Sequence, residues 1–371
     1  MTFSTIDHRH MAQALRLGER GLFTTQPNPR VGCVIAHGET VVGEGWHQRT
    51  GGPHAEALAL REAGDQARDA TVYVTLEPCA HQGRTPPCAD ALVAAGVKRV
   101  VMASEDPFPQ VDGRGMARLR AAGVEVQAGL MREQARELNV GFFSRIERGR
   151  PFVRLKLAMS LDGRTALASG ESKWITSEAA RNDVQRWRAR SSAILAGSGT
   201  VLADNPRLTV RLPDEQRGVA PWRVVLDRDL RVPNSFHVLD DSAPTLLLHD
   251  AGLVSIQNIP AGVSHAGVPI DAHGRLDLNV VLATLAEREI NELLVEAGSR
   301  LAGAMLTSGH VDELLLYVAP VLLGHEGRAL MALPDIATMA DRWQLKVLDQ
   351  RSVGPDWRLR LRPSRPPVPA A

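Results

Sequence analysis

Pro53-His54-Ala55-Glu56 opens a helical pattern over residues 54–63, Thr71-Val72-Tyr73-Val74-Thr75-Leu76-Glu77 reads as a strand, and Pro78-Cys79 and Pro87-Cys88 follow it, the second opening a helical pattern over residues 88–95. Working outward, residues 7–20 read as an amphipathic helix, and 31–36 with 40–46 as a hairpin across His37-Gly38. Residues 99–103 and 124–128 read as strands and 116–122 as a helix. Such alternation implies an α/β sheet with helices on both faces. It places His54, Cys79 and Cys88 at helix starts beside strand ends, where sheets of this kind bind ligands.

One imidazole and two thiolates are a set that zinc accepts in a catalytic site, with the fourth position left for water. The two thiolates cancel the charge of the metal, which still lowers the pKa of its water to about 7. A proline precedes each of the three residues, as is favoured at helix starts. A helix N-terminus also stabilises a thiolate. Residues two apart do not share a helix face, so His54 and Glu56 reach one metal only through an irregular first turn. Singly, these features are ordinary: His-x-Glu is usually a surface pair, and three cysteines can all be buried hydrophobes. In this order they predict a catalytic zinc. A structural zinc would take a fourth protein ligand, for which His81 is the nearest candidate.

The pattern resembles that of the hydrolytic zinc deaminases, His-x-Glu followed by Pro-Cys-x-x-Cys. There the glutamate is not a ligand and moves protons between water and the leaving amine. The resemblance implies that part for Glu56. The spacing departs from the general form: Cys79-Ala80-His81-Gln82-Gly83-Arg84-Thr85-Pro86-Pro87-Cys88 separates the cysteines widely. That run, with Pro27-Asn28-Pro29-Arg30-Val31-Gly32-Cys33 and Gly43-Glu44-Gly45-Trp46-His47, resembles the deaminases of riboflavin biosynthesis. The resemblance implies a cytidine-deaminase-like three-layer α/β/α fold, with Asn28 on the pyrimidine ring and His47, His81 and Arg84 on its ribose phosphate. Taken alone, Asn28 reads as a turn residue between two prolines.

A length of 371 residues suggests two domains. The polar stretch Ser144-Arg145-Ile146-Glu147-Arg148-Gly149-Arg150-Pro151 reads as the boundary, giving domains 1–147 and 148–371, with a Pro-rich, disordered tail at 363–371. A formal net charge of +1 and the lack of a long basic run argue against a nucleic-acid partner. Three cysteines, two of them proposed ligands, fit a reducing cytoplasm, with Cys33 left for the core. No apolar run reaches the ~18 residues of a membrane span. The N-terminus lacks a basic-then-apolar leader. A homo-oligomer acting on small phosphorylated pyrimidines is expected.

The second half starts again with a strand at 152–161. Val153-Arg154-Leu155-Lys156-Leu157-Ala158-Met159-Ser160-Leu161-Asp162-Gly163-Arg164 resembles the reductase of the same pathway, whose fold is dihydrofolate-reductase-like. The likeness continues through Lys173-Trp174-Ile175-Thr176-Ser177, through residues 196–206 and through Val295-Glu296-Ala297-Gly298-Ser299-Arg300-Leu301. The chain as a whole therefore resembles the bifunctional deaminase–reductases of riboflavin biosynthesis. From the residues alone the second half says less. Gly197-Ser198-Gly199 is a Gly-rich turn after a strand and not a full dinucleotide fingerprint. Glu296-Ala297-Gly298-Ser299 follows a strand at 292–295 and opens a helix at 300–308, whose free N–H groups favour a pyrophosphate. The helix at 177–190 has a Ser cap, and Arg188 and Arg211 are candidates for a substrate phosphate.

The resemblance implies NADPH contacts from Ala158, Trp174, Thr200, Asp204 and the turn Gly298-Ser299-Arg300-Leu301-Ala302-Gly303-Ala304. It implies substrate contacts from Ser172, Arg188, Leu208, Arg211 and Glu296. Arg228, after a strand at 223–227, is either a contact to the cofactor's 2′-phosphate or a solvent-facing turn charge. The implied chemistry is hydrolytic deamination of 2,5-diamino-6-ribosylamino-4(3H)-pyrimidinone 5′-phosphate, then NADPH reduction of 5-amino-6-(5-phosphoribosylamino)uracil. Lys156, Asp204 and Glu296 are the polar groups expected near the reduced carbon. A nucleic-acid deaminase, a non-catalytic zinc module and a deaminase with a degenerate second half are the alternatives.

Overall fold

Val72, Tyr73 and Val74 are β-branched or aromatic and apolar toward both faces, as a strand buried on both sides requires. They make β3 (Thr71–Val74) the centre of the first sheet. The computed structural model describes residues 2–80, 87–109, 111–213, 218–254 and 259–364. β3 pairs antiparallel with β1 (Gly32–His37), which turns through Gly38-Glu39 into β2 (Thr40–Trp46). On its other side it runs parallel to β4 (Arg99–Met102), and β4 to β5 (Glu125–Ala128), for the order β2-β1-β3-β4-β5.

Successive residues of these strands face opposite layers. Val34, Ala36, Tyr73 and Val101 pack with Met11, Ala14 and Ala135 of α1 (Thr5–Glu19) and α5 (Arg132–Leu138). Cys33, Ile35, Val72, Val74 and Val100 pack with Ala59, Leu92 and Leu119 of α2 (Ala55–Ala63), α3 (Cys88–Ala94) and α4 (Arg114–Ala121). Cys33 is thus core. Gly43 and Gly45 seat α2 on β2: a Cβ there would stand 2.3 Å from the Ala59 carbonyl oxygen and 2.2 Å from that of Ala55. This close approach sets where α2 begins.

Two sequence expectations shift here. β3 ends at Val74, short of Glu77, because the following segment is held by other bonds. The Glu77 N–H donates to the Ser104 carbonyl at 3.0 Å, and the buried Glu77 carboxylate accepts the N–H groups of Gly113 and Met116, both at 3.1 Å. The polar stretch after residue 143 is largely helix: α6 (Val140–Arg148) buries Phe142 and Phe143, and Gly149, left-handed at φ 65°, ends it. The chain divides into two compact units after Gly149.

The second unit is built on β6 (Phe152–Ser160), β7 (Ala193–Gly197), β8 (Trp222–Leu226), β9 (Thr245–Asp250), β10 (Val263–Val268), β11 (Glu292–Glu296), β12 (Glu313–Ala319), β13 (Gln344–Val353) and β14 (Asp356–Ser364). Among the described residues the order is β10-β9-β8-β7-β11-β6-β12-β14-β13, parallel from β10 to β12 and antiparallel thereafter. β14 runs to Ser364, so Pro363 and Ser364 belong to the sheet; the rest of the expected tail lies outside the described residues.

Leu155, Leu195, Val224 and Leu293 meet α9 (Leu278–Glu287) and α10 (Ser299–Thr307). Leu294, Leu315 and Tyr317 meet α7 (Glu178–Arg190), and Ile194 and Val225 meet Val201 of α8 (Ser198–Asp204). Gly197-Ser198-Gly199 is therefore a strand end and helix start, not a free turn. Ser177 caps α7, accepting the Ala180 N–H at 3.3 Å. α7 is pinned to both ends of β11: Arg190 pairs with Glu292 at 3.0 Å and Arg188 with Glu296 at 2.6 Å. Arg154, 1% exposed, bridges Glu292 and Glu313, and Arg360 also binds Glu313.

Candidate functional site

His54 is the N-cap of α2, with extended backbone (φ −73°, ψ 164°), and Glu56 is the second helical residue. This is the irregular start that the two-residue spacing requires. Cys88 is the first residue of α3, with Pro87 as its cap. Cys79 does not sit at a helix start, contrary to expectation, but in the irregular segment after β3. It still uses one: the Cys88 backbone N–H donates to Cys79 Sγ at 3.3 Å, and the Ala89 N–H to the Cys79 carbonyl at 3.1 Å.

His54 Nδ1 lies 3.3 Å from Cys88 Sγ and 3.6 Å from Cys79 Sγ, and the three ligand atoms lie within 4.8 Å of one another. Nitrogen and sulfur ligands of a tetrahedral zinc stand about 3.6 Å apart, given metal–ligand bonds of about 2.0 and 2.3 Å. The triangle therefore has the size zinc needs. No other group of three such side chains converges among the described residues.

Its electrostatics ask for a cation. The bond from Cys88, together with His54, holds the Cys79 thiol down at about 4 despite burial. Sharing that bond, and burial, push the Cys88 thiol well up. Two sulfurs thus compete for one proton, a conflict that a divalent ion removes. The bond to Cys79 raises His54. Burial pushes Glu56 up to about 7 against the pull of His54, which suits a group that must both take and give a proton. His47, 3% exposed, has Nδ1 3.1 Å from the Pro53 carbonyl oxygen and Nε2 3.2 Å from Asn28 Nδ2. Its ring meets that of His54 edge-on, centroids 5.6 Å apart. His81 and Arg84 lie outside the described residues.

In the second unit, parallel register sets Lys156, midway along β6, beside Glu296 at the carboxyl end of β11. Arg188 grips Glu296 with two bonds, 2.6 and 2.9 Å, and donates to the Thr209 carbonyl at 2.9 Å. Burial works to raise Glu296, but Arg188, Lys156 and Arg211 outweigh it and hold the carboxyl at about 2. Burial lowers Lys156, and burial with the charge of Arg188 lowers Arg211. These four form one cluster with a surplus of positive charge, suited to a phosphate.

Thr200 of α8 accepts the Gly298 N–H at 3.2 Å, so the starts of α8 and α10 meet beside the strand ends. Asp204 pairs with Lys173 at 3.8 Å. Trp174 is 70% exposed with the Arg181 guanidinium over its ring, and Ser172 is half-buried in the same segment. Ala158 is half-buried on β6. Leu208 is buried among Ile194, Val225 and Val238, and Ala302 and Gly303 lie on the buried side of α10, which leaves their backbone groups for any contact with a ligand. Ser299, Arg300, Leu301 and Ala304 remain on the outer part of that helix start. Arg228 donates to the Asp229 carboxylate at 2.7 and 3.0 Å and to the Gly274 carbonyl at 2.5 Å, which is the turn-charge arrangement of its two readings.

Residues 4–104 match the family model for the cytidine and deoxycytidylate deaminase zinc-binding region, and residues 151–359 that for the RibD C-terminal domain. The chain belongs to the RibD family. The Escherichia coli riboflavin biosynthesis protein RibD is 50% identical over 365 residues, 96% of this chain and 99% of that protein. An Acinetobacter baumannii RibD structure is 46% identical, with a TM-score of 0.90 over 97% of this chain and 99% of that one. A Thermotoga maritima diaminohydroxyphosphoribosylaminopyrimidine deaminase/5-amino-6-(5-phosphoribosylamino)uracil reductase is 34% identical, with a TM-score of 0.85 over 97% and 99%. The first unit is cytidine-deaminase-like, the second the RibD reductase type, and the cofactors are zinc and NADPH.

Two groups of this RibD-family site escaped sequence reading. Glu77, 4% exposed, staples the Cys79 segment to the start of α4. Asp106, 7% exposed, accepts the Phe108 N–H at 2.9 Å; burial, with the charges of Glu77 and Cys79, pushes it up to about 6. The available signal was position: Asp106-Pro107 lies just past β4 as Cys79 lies just past β3. No helix among the described residues is long and apolar enough to cross a membrane.

Proposed function

We propose that the chain catalyses two successive steps of riboflavin biosynthesis. Residues 1–147 deaminate 2,5-diamino-6-ribosylamino-4(3H)-pyrimidinone 5′-phosphate, and residues 148–371 reduce 5-amino-6-(5-phosphoribosylamino)uracil to the ribitylamino product. The observation that carries this reading is the convergence of His54, Cys79 and Cys88 beside buried Glu56. Bound zinc, on these three ligands, supplies the positive charge that lowers the pKa of water toward about 7. Glu56 takes a proton from the attacking water as its oxygen bonds to the ring carbon, then delivers it to the exocyclic nitrogen. The C–N bond breaks and ammonia leaves. Asn28 and, by the resemblance, His81 and Arg84 hold the substrate.

In the second step the glycosylamine opens to an imine, and bound NADPH supplies the hydride that reduces it. Arg188 and Arg211 bind the phosphate, and Ser172 is, by the resemblance, a further substrate contact. Burial makes the Lys156 ammonium a better acid next to the reacting carbon, and Arg188 keeps Glu296 ionised there. Ala158, Trp174, Thr200, Asp204 and the outer start of α10 hold the cofactor. The enzyme acts on small molecules, as a cytoplasmic homo-oligomer, without nucleic acid or membrane.

The test supplies the diaminopyrimidinone ribotide and NADPH to protein of measured zinc content, and follows ammonia together with loss of nicotinamide absorbance. Both signals are expected, and Glu56→Gln removes both because the reductase is starved of substrate. Ammonia without NADPH oxidation overturns the second step; neither signal overturns the assignment.

A further inference from the structure

His47 has no part in the chemistry above, yet it is the best-held ring near the zinc ligands. The Pro53 carbonyl 3.1 Å from Nδ1 can only accept, so Nδ1 carries the proton. Nε2 faces the Asn28 carboxamide nitrogen, which can only donate, so it presents a bare lone pair. Only an N–H can face it. The Asn28 carboxamide is therefore oriented, with Nδ2 toward His47 at 3.2 Å and Oδ1 turned the other way. Oδ1 has no hydrogen-bond partner among the described residues.

The Asn28 backbone is held as well. Its N–H donates to the Thr25 carbonyl at 2.7 Å, and the Thr50 hydroxyl reaches the carbonyls of Thr25 and Gln26 at 2.6 and 2.8 Å. Pro53 directly precedes His54. Two hydrogen bonds thus tie Asn28 to the segment that presents a metal ligand.

We propose that His47 is a positioning residue of the deamination step: it fixes the polarity of the Asn28 carboxamide so that the site offers an acceptor and selects an aminopyrimidine edge bearing an N–H. This rests on the deaminase reading above. It also moves His47 out of the expected phosphate contacts, because both ring nitrogens are engaged inside the protein.

Gln at position 47 keeps a donor for Pro53 and an acceptor for Asn28; Phe keeps the ring volume and removes both. His47→Phe is expected to lower kcat/KM for ammonia release by about 10- to 100-fold with zinc content unchanged, the usual cost of losing a supporting hydrogen bond at a metal site. His47→Gln recovers most of it. The same loss appears with the dephosphorylated riboside, and His47→Phe adds little in an Asn28→Ala background. A loss confined to the phosphorylated substrate, a Gln variant as poor as Phe, or losses that multiply would overturn the proposal. If the wild type releases no ammonia, the deaminase reading has failed instead. Nitrogen NMR of the zinc-loaded protein then decides the relay: a proton on His47 Nδ1 supports it, and a proton on Nε2 overturns it.

Discussion

The two candidate sites are assembled by opposite logic. His54, Glu56, Cys79 and Cys88 come from one helix start, one loop and the next helix start, all close in sequence. Their charges conflict until an ion arrives, since two sulfurs share one proton. Lys156, Arg188, Arg211 and Glu296 come from β6, α7, the segment after α8 and β11, and Arg188 and Glu296 are fully paired before any ligand binds. The first set is completed by its cofactor; the second is part of what holds its unit together. Removing one member should therefore cost chemistry alone in the first unit, and stability as well as chemistry in the second.

The largest expected effect is in the first. Glu56→Gln should lower ammonia release by about 10²- to 10⁴-fold, the usual contribution of a positioned general acid–base. It should leave NADPH oxidation intact when 5-amino-6-(5-phosphoribosylamino)uracil is fed directly. A drop in both rates with that feed would break the separation. In the second unit, Arg188→Met strands the buried Glu296 carboxylate and should cost about 3–5 kcal/mol of stability, read from chemical denaturation. Arg188→Met with Glu296→Gln should recover part of it. Ammonia release should persist in both variants below the transition.

The same contrast decides what was legible. His, Cys and Glu at these spacings are rare enough that sequence reading placed His54, Glu56, Cys79 and Cys88 together, and the strand–helix alternation fixed the layers around them. Arginines are common, and nothing local says which one meets a carboxylate more than a hundred residues away: Arg188 was named as a phosphate ligand, and its pairing with Glu296 depends on how α7 packs on β11. The resemblance named Leu208 and Ala302 as contacts, and both side chains pack into the core. Which side of a helix start faces the core is set by tertiary packing, not by position in a motif. Glu77 ended a run that reads as a strand, and only its N–H partners across the loop show why the strand stops sooner.

Acid should sharpen the comparison. Glu296 and Glu313 are both held at about 2 by arginines against the pull of burial, below the ordinary 4.5. A carboxyl lowered in the folded state stabilises above its unfolded pKa, and that contribution is lost as pH falls through the folded one. The second unit should keep this stability above about pH 4.5 and lose it progressively toward pH 2. Denaturation followed at both units across that window checks the sign; a second unit that gains stability on acidification breaks the argument.

The smallest effect concerns Arg228. Its guanidinium already binds the Asp229 carboxylate twice and the Gly274 carbonyl once, while remaining half-exposed. A 2′-phosphate approaching it would compete with Asp229, a group of the same sign, and exposed ion pairs are weak and screened by solvent. Arg228→Ala should therefore change the preference for NADPH over NADH by no more than about 5-fold. A loss of preference by two orders of magnitude would mean that Arg228 abandons Asp229 when the cofactor binds. The second site would then share with the first the property of being completed by its ligand.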